Sequence, residues 1–230
     1  MSKRFLLAAI LAAVVAGGTF AQAPLSIGGG FLAQIGTQGR LEAMERYSGL
    51  SLSVGLDDVG LGGFFFLDTT YAELAMGVTM SVAELSSIAK IGSIGIRENF
   101  YGPIISMDVS YLSKFPMEAS PKITLFPLLG IGYSLVFFSK MYDDDDKEVS
   151  VWDKPMDLST FRFIGGFGYD VNFGNNVFFR SEALVYLGLP SNFFKEGKRK
   201  FDKDPDIILT SNTFLYPYGV TAKVAIGYRF

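Results

Sequence analysis

Polar side chains on the inner phase of alternating segments are the residues with which this sequence could do chemistry. The charged ones are Glu73, Asp108, Arg162, Asp170, Arg180, Glu182, Lys223 and Arg229, and Gln34 shares their phase. Buried charges of mixed sign must pair and hydrogen-bond, or each costs several kcal/mol. The pattern predicts a salt-bridged interior, in which Arg180 faces Gly168 diagonal to Asp170, and Glu182 faces Gly166 near Lys223. A narrow polar pathway for small ions is the alternative.

Catalysis is not indicated, because the sequence contains neither His nor Cys. A Ser activated by Asp alone lacks a base of suitable pKa. Glu73 and Asp108 could form an acid pair, but their charged neighbours favour a structural role. The glycine pairs at 28/30 and 166/168 lie inside predicted strands and open no helix, which argues against a nucleotide site. We therefore predict a non-enzymatic protein without cofactor or metal.

Two charge clusters fall in predicted loops. The acidic one is Asp143, Asp144, Asp145 and Asp146, and the basic one is Lys195, Lys198, Arg199, Lys200 and Lys203. The acidic run lacks the alternation and the glycine of a calcium-binding loop, so we interpret it as solvated. The basic cluster could contact phosphorylated glycolipid, sulfated polysaccharide or host matrix. It could also pair with the acidic loop, or simply keep the rim solvated.

The two ends of the chain predict export and assembly in a membrane. Residues 1–23 have a basic start, an apolar run and an Ala21-Gln22-Ala23 site, as in a cleaved signal peptide. The mature protein would be a single domain of residues 24–230. Residues 220–230 alternate strictly between apolar and small or polar residues, and end on Tyr228 and Phe230. The 20 basic and 23 acidic residues give no excess positive charge that would favour nucleic acid.

The same alternation recurs along the chain and predicts eight strands. They cover residues 25–36, 50–56, 64–80, 105–111, 123–137, 160–171, 177–187 and 220–230. No apolar run of helix length follows the signal. In lipid only helices and closed barrels satisfy every backbone group. We therefore predict an all-β fold, an eight-stranded antiparallel transmembrane β-barrel. Ten strands are the alternative, and a soluble sandwich or lipocalin-like barrel is the rival class.

Connections alternate in length, as expected when both termini lie on the periplasmic side. The predicted turns are 57–63, 115–122 and 172–176, and the predicted outer loops are 36–48, 82–102, 141–158 and 189–217. The segment 82–102 could instead hold a short strand at 88–96. Asp68 falls on the lipid phase of its predicted strand, so either a bulge hides it or it lies outside the membrane.

The chain resembles the small outer-membrane barrels of the OmpA/OmpX/OmpW type over its whole mature length. Phe64–Glu73, Leu125–Ile131 and Arg180–Leu184 are similar to runs in barrel proteins of spirochaetes such as treponemes. The resemblance implies a bacterial outer-membrane location and a structural or surface-interaction role through the outer loops. A porin-like narrow channel, or a conduit for small solutes or small hydrophobic molecules, is the alternative. The implied partners are outer-membrane lipid, the barrel-assembly machinery, which would read Tyr228 and Phe230, and host or surface ligands.

Overall fold

The structure, a computed structural model, describes residues 24–48, 50–91, 94–138, 141–142, 148–149, 158–174 and 176–230. The predicted signal peptide and the acidic run Asp143–Asp146 lie outside the described residues.

Eight long strands build the molecule. They are β1 (Ser26–Glu45), β2 (Leu50–Asp68), β3 (Ala72–Ile91), β4 (Ile94–Lys114), β6 (Ile123–Phe138), β9 (Thr160–Phe173), β10 (Val177–Gly188) and β12 (Tyr218–Arg229). Shorter elements lie between them: β5 (Met117–Ser120), β7 (Met141–Tyr142), β8 (Glu148–Val149), helix α1 (Asn192–Phe201) and β11 (Ile207–Leu209).

The long strands form a closed antiparallel barrel. Each pairs with the next along the chain, and β12 returns to β1 in a ladder from Ser26–Arg229 to Thr37–Tyr218. The prediction of eight strands is confirmed, and the ten-strand alternative is wrong. Among the described residues, no helix is long and apolar enough to span a membrane.

The outer wall is apolar and the inner wall is polar. Along β1, Ile27, Phe31 and Ile35 point outward and are 44%, 76% and 64% exposed, whereas Leu32 and Gln34 between them are buried. Exposed apolar residues of this kind recur on every long strand. A folded protein exposes such a continuous band only to an apolar medium. On β1 the band covers about nine residues, the length that a tilted strand needs to cross the hydrocarbon core.

Two hairpins continue past this band, contrary to the prediction. Residues 36–48 and 82–102 were expected to be loops, with a possible strand at 88–96, but they belong almost entirely to the long strands β1, β3 and β4. Above the membrane both faces of a strand can be polar, so the apolar alternation that marks a strand disappears there although the ladder continues.

The predicted turn at 57–63 is also wrong. β2 runs through it to Asp68, and the chain turns at Thr69–Tyr71. The predicted third strand, 64–80, therefore combined the end of β2 with the start of β3. The glycines of the predicted turn belong to the curved wall of the barrel. A Cβ on Gly62 would lie 2.0 Å from the Val78 carbonyl oxygen of β3.

This close approach predicts unequal effects at two adjacent glycines of β2. Gly62→Ala should push β2 from β3 and lower the free energy of unfolding by about 1–3 kcal/mol, as overpacking does. Gly63→Ala is the control, because its Cβ would meet only the Gly30 carbonyl oxygen at 3.6 Å. Urea unfolding in lipid vesicles measures both variants. Equal loss of stability would contradict the close-packed wall.

The last outer segment is folded, although it was predicted as a polar loop over 189–217. α1 begins after Ser191, whose backbone is extended, and carries Lys198, Arg199 and Lys200 in its last turn, where cations favour the helix dipole. The chain then descends as β11, which pairs with β1 from Ala43 to Glu45. On the other edge of β1, the register against β2 shifts between Thr37 and Gly39, whose φ is +130°.

Candidate functional site

Arg180 is the most buried cation of the lumen and lies near the end that holds both termini. It stands directly opposite Asp170 in the β9–β10 ladder, and its Nε and Nη2 donate to the two Asp170 oxygens at 2.8 and 2.9 Å. Nη1 donates to Glu73 Oε2 and Nη2 to Asp68 Oδ2, each at 2.6 Å. One guanidinium therefore joins carboxylates from β2, β3 and β9.

Aromatic rings enclose this guanidinium. Its carbon lies 4.5 Å from the ring centroid of Phe66 and 5.1 Å from those of Phe126 and Phe178. The rings exclude water and offer their electron-rich faces to the charge, so the ion pairs act in a low-dielectric environment.

Two more buried cations extend the network. Lys114 Nζ donates to both Asp68 oxygens at 2.8 and 2.7 Å. Lys223 Nζ lies 3.3 Å from Glu182 and 3.7 Å from Glu73. At the rim, Arg229 lies 3.8 Å from Asp170 and is partly exposed. We call this set the Arg180 cluster, in which four cations balance four acids: Arg180, Lys114, Lys223, Arg229, Asp68, Glu73, Asp170 and Glu182.

The Arg180 cluster differs from the predicted arrangement in register and in membership. Arg180 faces Asp170 rather than Gly168, and Glu182 faces Gly168 rather than Gly166, because Val177 pairs with Phe173 and not with Val171. Glu182 and Lys223 stand directly opposite each other.

Sequence reasoning missed Asp68 and Lys114. Asp68 continues the inward phase of Phe64 and Phe66 on β2, so it lies inside the barrel, neither exposed to lipid nor hidden by a bulge. Lys114 continues the phase of Asp108 on β4, beyond the predicted strand end at 111. Extending each strand to its turn would have found both residues.

A second polar layer lies nearer the outer end. Arg162 Nη1 donates to Asp108 at 3.0 Å, and its guanidinium carbon lies 4.3 Å from the Tyr186 ring centroid. Asp58 accepts from the amides of Gln34 and Gln38, both at 3.2 Å. Asp58 was missed because its segment was read as a turn. Glu73 and Asp108 bond to different cations and form no acid pair.

A small cavity separates this layer from the Arg180 cluster. It measures about 60 Å³, and Gln34, Asp108, Arg162, Tyr186 and Lys223 contribute its polar lining. At 10–15 Å³ for each water position, it has room for a few waters. Two clusters of buried apolar side chains also lie inside the described part of the barrel, as expected for eight strands.

An apolar cluster lies inside the barrel toward its outer end. Phe194 of α1 is fully buried among inward-facing residues of several strands. The members of this mouth cluster are Leu41, Leu56, Ile104, Val136, Leu158 and Phe194. The helix therefore places an aromatic side chain inside the barrel and packs it against residues of β1, β2, β4 and β6.

The five residues of the predicted basic cluster lie on α1 and the turn after it. Lys195, Lys198, Arg199, Lys200 and Lys203 are all exposed. None of them forms an ion pair with an acid among the described residues. Within the same part of the chain, no group of three or more His, Cys, Asp or Glu is arranged to hold a metal.

The terminal aromatics face outward at the opposite rim. Tyr228 and Phe230 are exposed, with ring centroids 5.2 Å apart. The Phe230 amide donates to the Leu25 carbonyl at 2.9 Å, and Asn176 Nδ2 donates to the Tyr228 hydroxyl at 3.2 Å. The strand end is thus tied to both of its neighbours.

No family model and no curated protein matches this chain. Among solved structures, the outer membrane protein OprG from Pseudomonas aeruginosa is 15% identical, with a TM-score of 0.49, over 90% of this chain and 96% of its own. The attachment invasion locus protein Ail of Yersinia pestis, in complex with the heparin analogue sucrose octasulfate, is 14% identical, with a TM-score of 0.40, over 90% and 99%. The chain's own strand pairing and exposed apolar band, rather than these likenesses, identify its fold as an eight-stranded antiparallel transmembrane β-barrel.

Proposed function

We propose that this protein is a non-conducting, non-enzymatic barrel with a structural and surface-interaction role, whose outer end is its contact surface. The observation that carries the proposal is the burial of two side-chain clusters inside the barrel, one toward each end. The mouth cluster would block the outer end, and the Arg180 cluster would block the end near the termini.

The outer end is suited to contact because its strands extend beyond the membrane and its last segment is fixed to β1. β1 to β4 extend beyond the apolar band, and the edge of β1 is completed by β11 and by the Arg40–Phe214 bridge. Glu42 Oε2 accepts from the Thr210 hydroxyl at 3.1 Å, which ties the descending segment to β1. A preorganised surface loses little conformational entropy when a partner binds.

The remaining parts of the proposal concern export and chemistry. Residues 1–23 would direct export, and the exposed Tyr228 and Phe230 would be read by the barrel-assembly machinery. The absence of His and Cys from the sequence, together with the pairing of Glu73 and Asp170 with Arg180, supports a role without catalysis.

Planar bilayer recordings test the closed lumen. We expect no stable discrete conductance from the purified protein, because a crossing ion would have to displace Phe194 and also separate the ion pairs of Arg180. A porin reconstituted in the same lipid is the positive control. Stable unitary openings would overturn the proposal and favour a narrow channel instead.

A further inference from the structure

The exposed end of α1 is a fixed group of cations. Between residues 195 and 203, five cations stand against two acids, Glu196 and Asp202. A neighbouring acid would pair with an exposed Lys or Arg and screen its charge. Where no such acid pairs with it, the cation stays available to a ligand.

The helix that carries these cations, and the segment after it, contact β1 and the turn that follows β1 at three successive positions. Phe194 is buried in the mouth cluster beside Gly39, and Gly197 packs on Leu41 of β1. After the helix, the Asp206 carbonyl accepts from the Arg46 amide at 2.8 Å. The cations at 198–203 therefore lie between the levels of Leu41 and Arg46 on β1.

These levels stand well above the membrane. Leu41 lies six positions beyond Ile35, the last exposed apolar residue of β1 below the bulge. At about 3.3 Å for each residue and a tilt of about 40°, the cations lie roughly 15 Å or more beyond the band. The headgroup layer is only about 5–7 Å thick on each side. The cations thus project past the lipid phosphates into the medium.

We propose that the outer end of α1 binds an extended anionic polysaccharide that carries sulfate or phosphate groups. A flexible chain with closely spaced anions can follow cations arranged along a helix and its following turn, and it needs no pocket. The inference names a partner class for the proposed contact surface, and so rests on the proposed function.

Binding of fluorescent dextran sulfate to the full chain in neutral-lipid nanodiscs tests the proposal, with uncharged dextran as the reference. We expect saturable binding that weakens as salt rises. The triple variant Lys198→Gln/Arg199→Gln/Lys200→Gln should bind about 10- to 100-fold more weakly. Lys200→Gln alone should weaken binding measurably, whereas Lys122→Gln, at an exposed turn of the opposite end, should change it less than about twofold.

A gain-of-binding variant makes the test independent of lost folding. Glu196→Gln/Asp202→Asn removes the two acids that lie within residues 195–203 and should strengthen binding about 10-fold. Unchanged affinity in the triple variant would overturn the inference. The inference would also be overturned if the protein bound a DNA oligonucleotide, or free vesicles containing anionic lipid, more tightly than it binds dextran sulfate. Because conductance is measured separately, loss of this inference leaves the closed-lumen proposal standing.

Discussion

Replacing Arg180 by Met is expected to lower the free energy of unfolding by about 3–5 kcal/mol, the cost of breaking a buried ion pair by removing one partner. The substitution removes hydrogen bonds to Asp68, Glu73 and Asp170 at once. It leaves the Arg180 cluster with three cations and four acids, so one buried carboxylate lacks a balancing charge. Urea titration in lipid vesicles, followed by far-ultraviolet circular dichroism or by heat-dependent gel migration, measures the change.

Arg229→Met is the matched control for this experiment. Arg229 approaches Asp170 only to 3.8 Å, and its side chain is 37% exposed. An exposed pair contributes about 0–1 kcal/mol, so the control should remain near wild type. Equal effects of the two substitutions would show that Arg180 does not organise the lumen.

A compensated variant separates the unpaired charge from the lost packing. Arg180→Met/Asp170→Asn removes one acid together with the cation and restores the charge balance of the Arg180 cluster. It should recover part of the stability that Arg180→Met alone loses, because fewer buried carboxylates lack a partner. No recovery would mean that the ring contacts of Arg180, rather than its charge, dominate its contribution.

The barrel was predictable from the sequence where one face of each strand meets lipid. Residues 123–137 and 220–230 show an uninterrupted apolar phase, and the structure has strands there. The prediction failed where that constraint ends. Beyond the band, residues 85–91 and 94–100 show no sustained alternation of apolar and polar residues, so no periodicity distinguishes them from a loop.

The lumen was less predictable than the wall because register decides which charges meet. Shifting the β9–β10 turn by two residues keeps Arg180 and Glu182 inside, but changes the residues opposite them. Asp58 was lost to a turn predicted from Gly60, Gly62 and Gly63, residues that a curved wall also requires. The same turn joined Asp68 to the following strand, on its lipid phase. Glycine alone therefore does not separate a turn from a strand with close backbone approach.

The burial of Phe194 in the mouth cluster predicts a large effect of its removal on the docking of α1. Phe194→Ala removes the fully buried ring of α1, and a Phe→Ala change in a core costs about 3–5 kcal/mol. The loss should fall on the docking of α1 rather than on the barrel, because the ladders of β10 and β12 do not depend on that ring. We expect α1 to open on the order of 10²–10³ times more often.

Trypsin reports that opening directly, since α1 and its following turn contain several Lys and Arg sites. Cleavage between residues 195 and 203 should accelerate strongly in Phe194→Ala, while the barrel keeps its folded gel migration. Tyr216→Ala is the control in the same outer segment, because Tyr216 is 53% exposed and its removal leaves the mouth cluster intact. If Phe194→Ala were cleaved no faster than this control, the helix would be held by its β11 connection alone, and the mouth cluster would not serve as a plug.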